Sequence, residues 1–318
     1  MTKLAYGARR PTTSTPPLQT ATPPPASTPK IPASRRVNPW VLIALAVVVL
    51  VVFAALSLSF GTIRISPVEA LQTVFSSASE RMRTVVWSIR LPRVVVAMIV
   101  GGALAGVGVV MQTVFRNPLA DPGITGVSAG GAVGAVAGIT LGFTGSMQWG
   151  IPIAAFVGSL AVVLVLNMII YSPRSGGNYT IILVGVSINA FAGALISILV
   201  ANARDDALAR GAVFWLAGDL ELRTWAHAGM AVAPVVVGLV YLLTRTTSMD
   251  ALLLGDDVAT TSGHDAHRTR LVLMLVASIV TGAAVAVSGI ISFVGLVVPH
   301  AVRLVVGAKH ALLLPLSV

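Results

Sequence analysis

The sequence predicts an all-α fold, a polytopic transmembrane helical bundle. Three observations carry that reading: apolar runs of spanning length recur along the chain, charged residues make up only 10% of it, and the basic residues gather between the runs. Ordinary soluble domains carry about a quarter charged residues. Here 56% of residues are hydrophobic and the mean hydropathy is +0.91. Helices are the expected spanning structure, because a barrel would show short alternating strands instead. The formal charge of +10 would suggest nucleic acid in a soluble protein. Between apolar runs the same residues orient helices and meet lipid phosphates, so nucleic acid is set aside. With no cysteine, neither a disulfide framework nor a thiolate metal site is available.

Taken in order, residues 1–38 are rich in Pro, Thr, Ser and Ala and include Pro23-Pro24-Pro25. They lack an apolar period that could bury a core, so a disordered cytoplasmic tail is expected. Uncharged runs follow at Trp40 to Phe60, Val94 to Phe115, Pro122 to Phe143, Ile151 to Tyr171 and Tyr179 to Asn202. Each reaches the roughly 20 residues needed to cross about 30 Å. A shorter sixth span, Ala226 to Leu243, contains Pro234; a seventh covers Leu271 to Ile291, and Phe293 to Val306, interrupted by Pro299-His300 and Arg303, is a short eighth. Arg35 and Arg36 ahead of the first span place the N-terminus in the cytoplasm. Alternation then puts Arg116, Arg174, the cluster Arg245 to Arg270, Arg303 and Lys309 on the same side. The first external loop breaks the pattern, holding Arg64, Arg81, Arg83, Arg90 and Arg93 against only Glu69 and Glu80. Such an excess either weakens the topology reading or marks a docking surface for something acidic.

Gly126, Gly130, Gly134, Gly138 and Gly142 recur at every fourth position through the third span. One side of that helix is then smooth enough for another backbone to approach closely, so helix packing is expected. Gly185, Asn189, Gly193 and Ser197 make a related stripe on the fifth span. Its amide and hydroxyl are costly against lipid and must look inward. Two readings stay open for it: interhelical hydrogen bonding, and the lining of a wide, uncharged translocation pathway.

Gly126-Val127-Ser128-Ala129-Gly130 fits the G-x-S-x-G nucleophile elbow. It lies inside the glycine ladder and has no strand-turn-helix context, so no catalytic residue is assigned. His264 and His267 sit beside Arg268 and Arg270, whose charge disfavours a cation, and His300 after Pro299 reads as a helix-end hydrogen bonder. No metal or cofactor is expected. The chain contains no G-x-x-x-x-G-K-[ST], so any nucleotide must be hydrolysed by a partner. The first five long runs hold no Asp, Glu, Lys or Arg, which argues against an ion- or proton-coupled carrier.

Residues Ile89 to Gly131 read IRLPRVVVAMIVGGALAGVGVVMQTVFRNPLADPGITGVSAGG. This stretch closely resembles the permease family of type II ABC importers that take up ferric siderophores, haem and cobalamin. Further matches follow in the family's order: Phe214-Trp215-Leu216-Ala217-Gly218 with Trp225, then Leu254-Gly255-Asp256-Asp257-Val258-Ala259, then Ser288-Gly289-Ile290-Ile291-Ser292-Phe293-Val294-Gly295-Leu296-Val297-Val298-Pro299-His300. The resemblance runs from about Trp40 onward.

It implies a non-catalytic permease in a bacterial cytoplasmic membrane, working as a homodimer or paired permease with two ATPase subunits inside and an extracytoplasmic substrate-binding protein outside. Arg90 and Arg93 are expected to receive the binding protein's acidic side chains. Leu254, Gly255, Asp256, Asp257, Val258 and Ala259 are expected in the coupling helices that enter the ATPase. Ser262 and His264 depart from the family pattern, standing where apolar residues are usual. The family normally continues for about two further helices. Residues 39–318 are therefore expected to form a C-terminally truncated permease domain with about eight of the usual ten spans.

Overall fold

The computed structural model describes residues 38–61, 65–75, 79–142, 149–170 and 178–318. The expected tail, Arg64 and Arg174 lie outside the described residues, the tail except for Asn38. Among the described residues every regular element is helical, so the all-α reading holds.

Helix α1 spans Pro39–Ser59. The Asn38 side chain accepts the Trp40 N–H at 3.0 Å, and Pro39 occupies the first helical position, where its missing N–H costs nothing. Only 6% of its apolar window is buried. Helix α2, Pro67–Phe75, opens on a reciprocal cap in which Ser66 and Glu69 satisfy each other's backbone N–H groups, both at 3.2 Å.

The second span is longer than the sequence suggests. Helix α3 (Glu80–Arg83), a π-helical stretch (Thr84–Arg90) and α4 (Leu91–Val114) form one continuous 35-residue rod. Arg81, Arg83, Arg90 and Arg93 therefore stand on a helix and not in a loop. Pro92 and the arginines place the start at Val94 when read locally. A proline inside a helix lacks an N–H and crowds the carbonyl one turn back. The switch to wider bonding just ahead, with Leu91 N–H donating to Val86 O, lets the rod continue through it.

The third span is shorter than expected. Pro122–Thr125 is a 3₁₀ turn, Gly126 is left-handed at φ 79°, and α5 covers only Val127–Thr140. At 1.5 Å per residue, 14 residues reach about 21 Å, short of a 30 Å hydrocarbon layer. Helices α6 (Gly150–Ile170) and α7 (Asn178–Ala201) are of spanning length. Helix α8 (Asp206–Leu216), which hydropathy did not single out, starts where Asp205 accepts the Leu208 N–H at 2.8 Å. There follow α9 (Trp225–Leu243), α10 (Thr246–Leu254), α11 (Asp256–Thr261), α12 (Ala266–Ser288), α13 (Val294–Val306) and α14 (His310–Ser317). Six described helices are long and apolar enough to cross a membrane, while α5 and α13 are shorter apolar helices.

Helices α4 and α12 form the centre, with 72% and 78% of their apolar windows buried. They pack on each other and on α9; α12 also meets α5 and α6, and α4 meets α13 and α14. Lipid is as apolar as leucine, so close packing, not water exclusion, must hold these helices together. Glycines provide it: a Cβ on Gly108 of α4 would lie 1.9 Å from the Gly295 carbonyl oxygen of α13. Gln112, 1% exposed, crosses the same interface, donating to the Leu296 carbonyl at 3.2 Å and accepting from Arg303 Nη2 at 3.1 Å.

Candidate functional sites at the two helix ends and the face between them

At one end of the bundle α10 and α11 meet at Gly255, whose φ of 135° strongly favours glycine. Leu254 and Val258 are exposed, at 72% and 40%, while Ala259 is buried. Asp257 is also exposed. The predicted coupling segment thus presents two apolar side chains and one carboxylate outward from a tight corner. Asp256, also exposed, is engaged by two arginines. Its Oδ1 accepts from Arg116 Nη2 and, at 2.9 Å, from Arg270 Nη2. Arg116 Nε also donates to Leu252 O at 2.9 Å. Arg116, at φ 48° just beyond α4, therefore ties the end of that rod to both α10 and α11. The Asp256 carboxylate also neutralises part of the charge that gathers on Arg116 and Arg270.

A second tie lies beside it. His310, fully buried, places Nδ1 2.5 Å from Asp250 Oδ1 on α10 and Nε2 2.6 Å from Thr113 Oγ1 on α4. Asp250 also accepts the His310 backbone N–H at 3.1 Å. These partners were not legible in the sequence. Arg116 stood out as part of a motif and as a basic residue beside a span, and nothing local pairs it with a carboxylate 140 positions away.

At the opposite end, the structure separates the two expected docking arginines. Arg93 is exposed. Arg90 is only 8% exposed, and its Nη1 donates to the Leu58 and Ser59 carbonyls at 2.6 and 3.2 Å. It thereby caps the C-terminus of α1, where a cation is favoured. Exposed Arg81 and Arg83 lie further along the same rod. Trp87, in the π-helical stretch, stacks obliquely on Trp225 with ring centroids 6.2 Å apart. The Trp225 indole N–H donates to the Trp87 carbonyl at 2.8 Å. Beside Trp225, Arg223 donates to Asp219 O at 3.0 and 2.9 Å. Burial holds its guanidinium below the ordinary range, and the Asp219 charge partly offsets this. The segments around Trp215 and Gly289 also meet, Asp219 N–H donating to Ser288 O at 2.9 Å.

The fifth-span stripe on α7 divides in two. A Cβ on Gly185 would lie 2.0 Å from Ile124 O, and Asn189 Nδ2 donates to Gly123 O at 3.1 Å. Both sit against the 3₁₀ turn. A Cβ on Gly193 would meet no atom of another element within 4 Å, and exposed Ser197 bonds back to Gly193 O at 2.9 Å. The glycine ladder divides similarly. Gly130 and Gly134 face α6, where added Cβ atoms would lie 2.7 Å from Gly158 O and 2.1 Å from Ala154 O. Gly138 is buried in α5. Gly126 and Gly142, both left-handed, lie just outside the two ends of α5.

Comparisons with known proteins bear on the fold and the family. Over 238 residues the chain is 45% identical to the cobalamin import system permease protein of Halobacterium salinarum, covering 75% of this chain and 63% of that protein's length. Over 291 residues it is 35% identical to the hemin transport system permease protein of Yersinia pestis, covering 88% and 83% of the two chains. A solved inward-facing transporter, described as a metal-chelate type ABC transporter, superposes with a TM-score of 0.78 at 28% identity, over 88% of this chain and 86% of that one. The model of the FecCD transport family matches residues 49–318, and the chain belongs to that family.

Proposed function

We propose that this multi-pass membrane protein is the permease subunit of an ATP-binding-cassette importer, carrying a ligand of the ferric siderophore, haem or cobalamin class into the cytoplasm. The names of its relatives support the ligand class. The observation that carries the mechanism is the link from Asp256 through Arg116 to the end of α4.

In this reading the end bearing α10 and α11 is cytoplasmic, as is the N-terminus, and two copies of the chain, or this chain and a paired permease, stand on two ATPase subunits. Exposed Leu254, Asp257 and Val258 enter the ATPase. Closure of the ATPases around nucleotide displaces α10 and α11. Arg116 and His310 transmit that displacement to α4, whose rod reaches the far end of the bundle. There exposed Arg81, Arg83 and Arg93 receive acidic side chains of an extracytoplasmic binding protein. Several exposed ion pairs are weak singly but together steer docking and set register. The open part of the α7 stripe, Gly193 and Ser197, lines the pathway, while Gly185 and Asn189 hold α7 against the 3₁₀ turn. The permease performs no covalent chemistry; it alternates access to the route.

Reconstitution of the chain with its ATPase and binding protein tests this reading. ATP-dependent, vanadate-sensitive uptake of a labelled chelate, haem or cobalamin is expected. Uptake driven by an ion gradient without ATPase would overturn it.

A further inference from the structure

The structure has a basic cleft that the transport reading does not use. It opens where the C-terminus of α9 meets the start of α12, with a volume of about 450 Å³, and its lining includes Tyr241, Arg245, Ser248, His264, Arg268 and Thr269. The Arg245 guanidinium lies over the Tyr241 ring, 4.9 Å from its centroid, and is held there by cation–π attraction. Neither Arg245 nor Arg268 belongs to an ion pair among the described residues. The cleft's one carboxylate, Asp265, is engaged as the cap of α12, its Oδ1 accepting the Arg268 backbone N–H at 2.9 Å. Asp265 thus faces the positive helix end and offsets the two guanidinium groups only in part.

Two features say what this cleft fits. It lies at the last turn of a membrane-spanning helix, with Tyr241 where amphipathic aromatic rings mark the bilayer boundary. Next to Tyr241 on the helical wheel of α9, Val237 and Val240 are exposed apolar side chains, able to lie against acyl chains. An anionic group at the mouth and a hydrocarbon tail along α9 belong to one molecule only when that molecule is a lipid.

We infer that the cleft between the end of α9 and the start of α12 binds the phosphate-bearing headgroup of an anionic phospholipid through Arg245 and Arg268, with its acyl chains on the exposed face of α9. Bound there, the lipid braces the corner from which α10 and α11 project. The site needs only the membrane-spanning fold; it does not depend on the importer assignment.

Native mass spectrometry of the purified chain in mild detergent, titrated with phosphatidylglycerol or phosphatidylcholine, tests the inference. One phosphatidylglycerol should be retained in preference to phosphatidylcholine. Arg245→Gln with Arg268→Gln should weaken that retention about thirtyfold, each basic group near a membrane surface contributing roughly fivefold. Arg268→Lys, which keeps the charge, should retain most of it, and both variants should melt as the parent does in phosphatidylcholine. Equal retention of the two lipids, or of phosphatidylglycerol by parent and double variant, would overturn the site. Inorganic phosphate at millimolar concentration should not displace the lipid; full displacement would make this a soluble-anion site and sink the lipid reading. Loss of ATPase capture in the double variant, with lipid retention unchanged, would assign the cleft to an acidic protein instead. The lipid titrations use the isolated chain without ATPase or chelate, so their failure leaves the transport proposal standing, and the reverse also holds.

Discussion

Arg116 and Asp256, 140 positions apart in sequence, form an ion pair that joins the end of the central rod to the corner between α10 and α11. Arg270 shares the same carboxylate oxygen at 2.9 Å. Asp256 is 49% exposed, so the cluster contributes less than about 1 kcal/mol to stability. Its effect is on where the corner sits.

Asp256→Asn should therefore leave melting almost unchanged while lowering uptake per ATP hydrolysed severalfold. The check is a paired measurement of transport and hydrolysis in proteoliposomes. A fall in both by the same factor would mean lost ATPase docking, not lost transmission.

A packed glycine of α5 and an open glycine of α7 should respond differently. A Cβ at position 134 meets a backbone oxygen that cannot move aside, and Gly134→Val should cost about 3 kcal/mol or prevent folding. Gly193→Ala, whose Cβ would meet no atom of another element within 4 Å, should leave stability unaltered. Thermal unfolding in detergent would separate them.

Removal of the Arg90 side chain should be a stability change. Arg90→Gln gives up charged hydrogen bonds to the last carbonyls of α1, at about 2 kcal/mol. Arg81→Glu with Arg93→Glu should instead weaken binding-protein capture and leave melting as it was. Surface plasmon resonance beside a melting curve distinguishes the two behaviours.

Thr113→Val removes one partner of fully buried His310 and leaves Nε2 unpaired. A loss of about 1 to 2 kcal/mol is expected, read by denaturant unfolding. Asp250→Leu should cost at least as much, because it strands both the ring Nδ1 and the His310 backbone N–H.

Much of the fold was legible in the chain because lipid imposes a simple length rule. Trp40 to Phe60 and Tyr179 to Asn202 differ little from α1 and α7. The third span failed this rule, since Pro122 to Phe143 is apolar throughout yet begins with a 3₁₀ turn ended by left-handed Gly126. Hydropathy counts apolar residues and is blind to the dihedral that breaks a helix. The second span failed in the other direction, because arginines at a membrane boundary look like loop until a π-helical stretch carries them through Pro92.

For the candidate sites, segments were readable and partners were not. The sequence placed Leu254 to Ala259 at a polar gap and marked Arg90 and Arg93 as an anomaly of charge. It could not say that Arg90 turns inward onto Leu58 and Ser59, that Asp256 meets Arg116, or that Gly185 and Gly193 on one stripe meet different surroundings.

By itself, then, the order of residues determined that the chain is a membrane-embedded helical bundle and which stretches have the family's pattern. Tertiary structure alone decided which charges pair and which glycines touch. The physical reason is range: hydrophobic length and helical period are properties of neighbours along the chain. A salt link between residues far apart in sequence, or a backbone so close that an added Cβ would meet it near 2 Å, exists only after distant helices have packed.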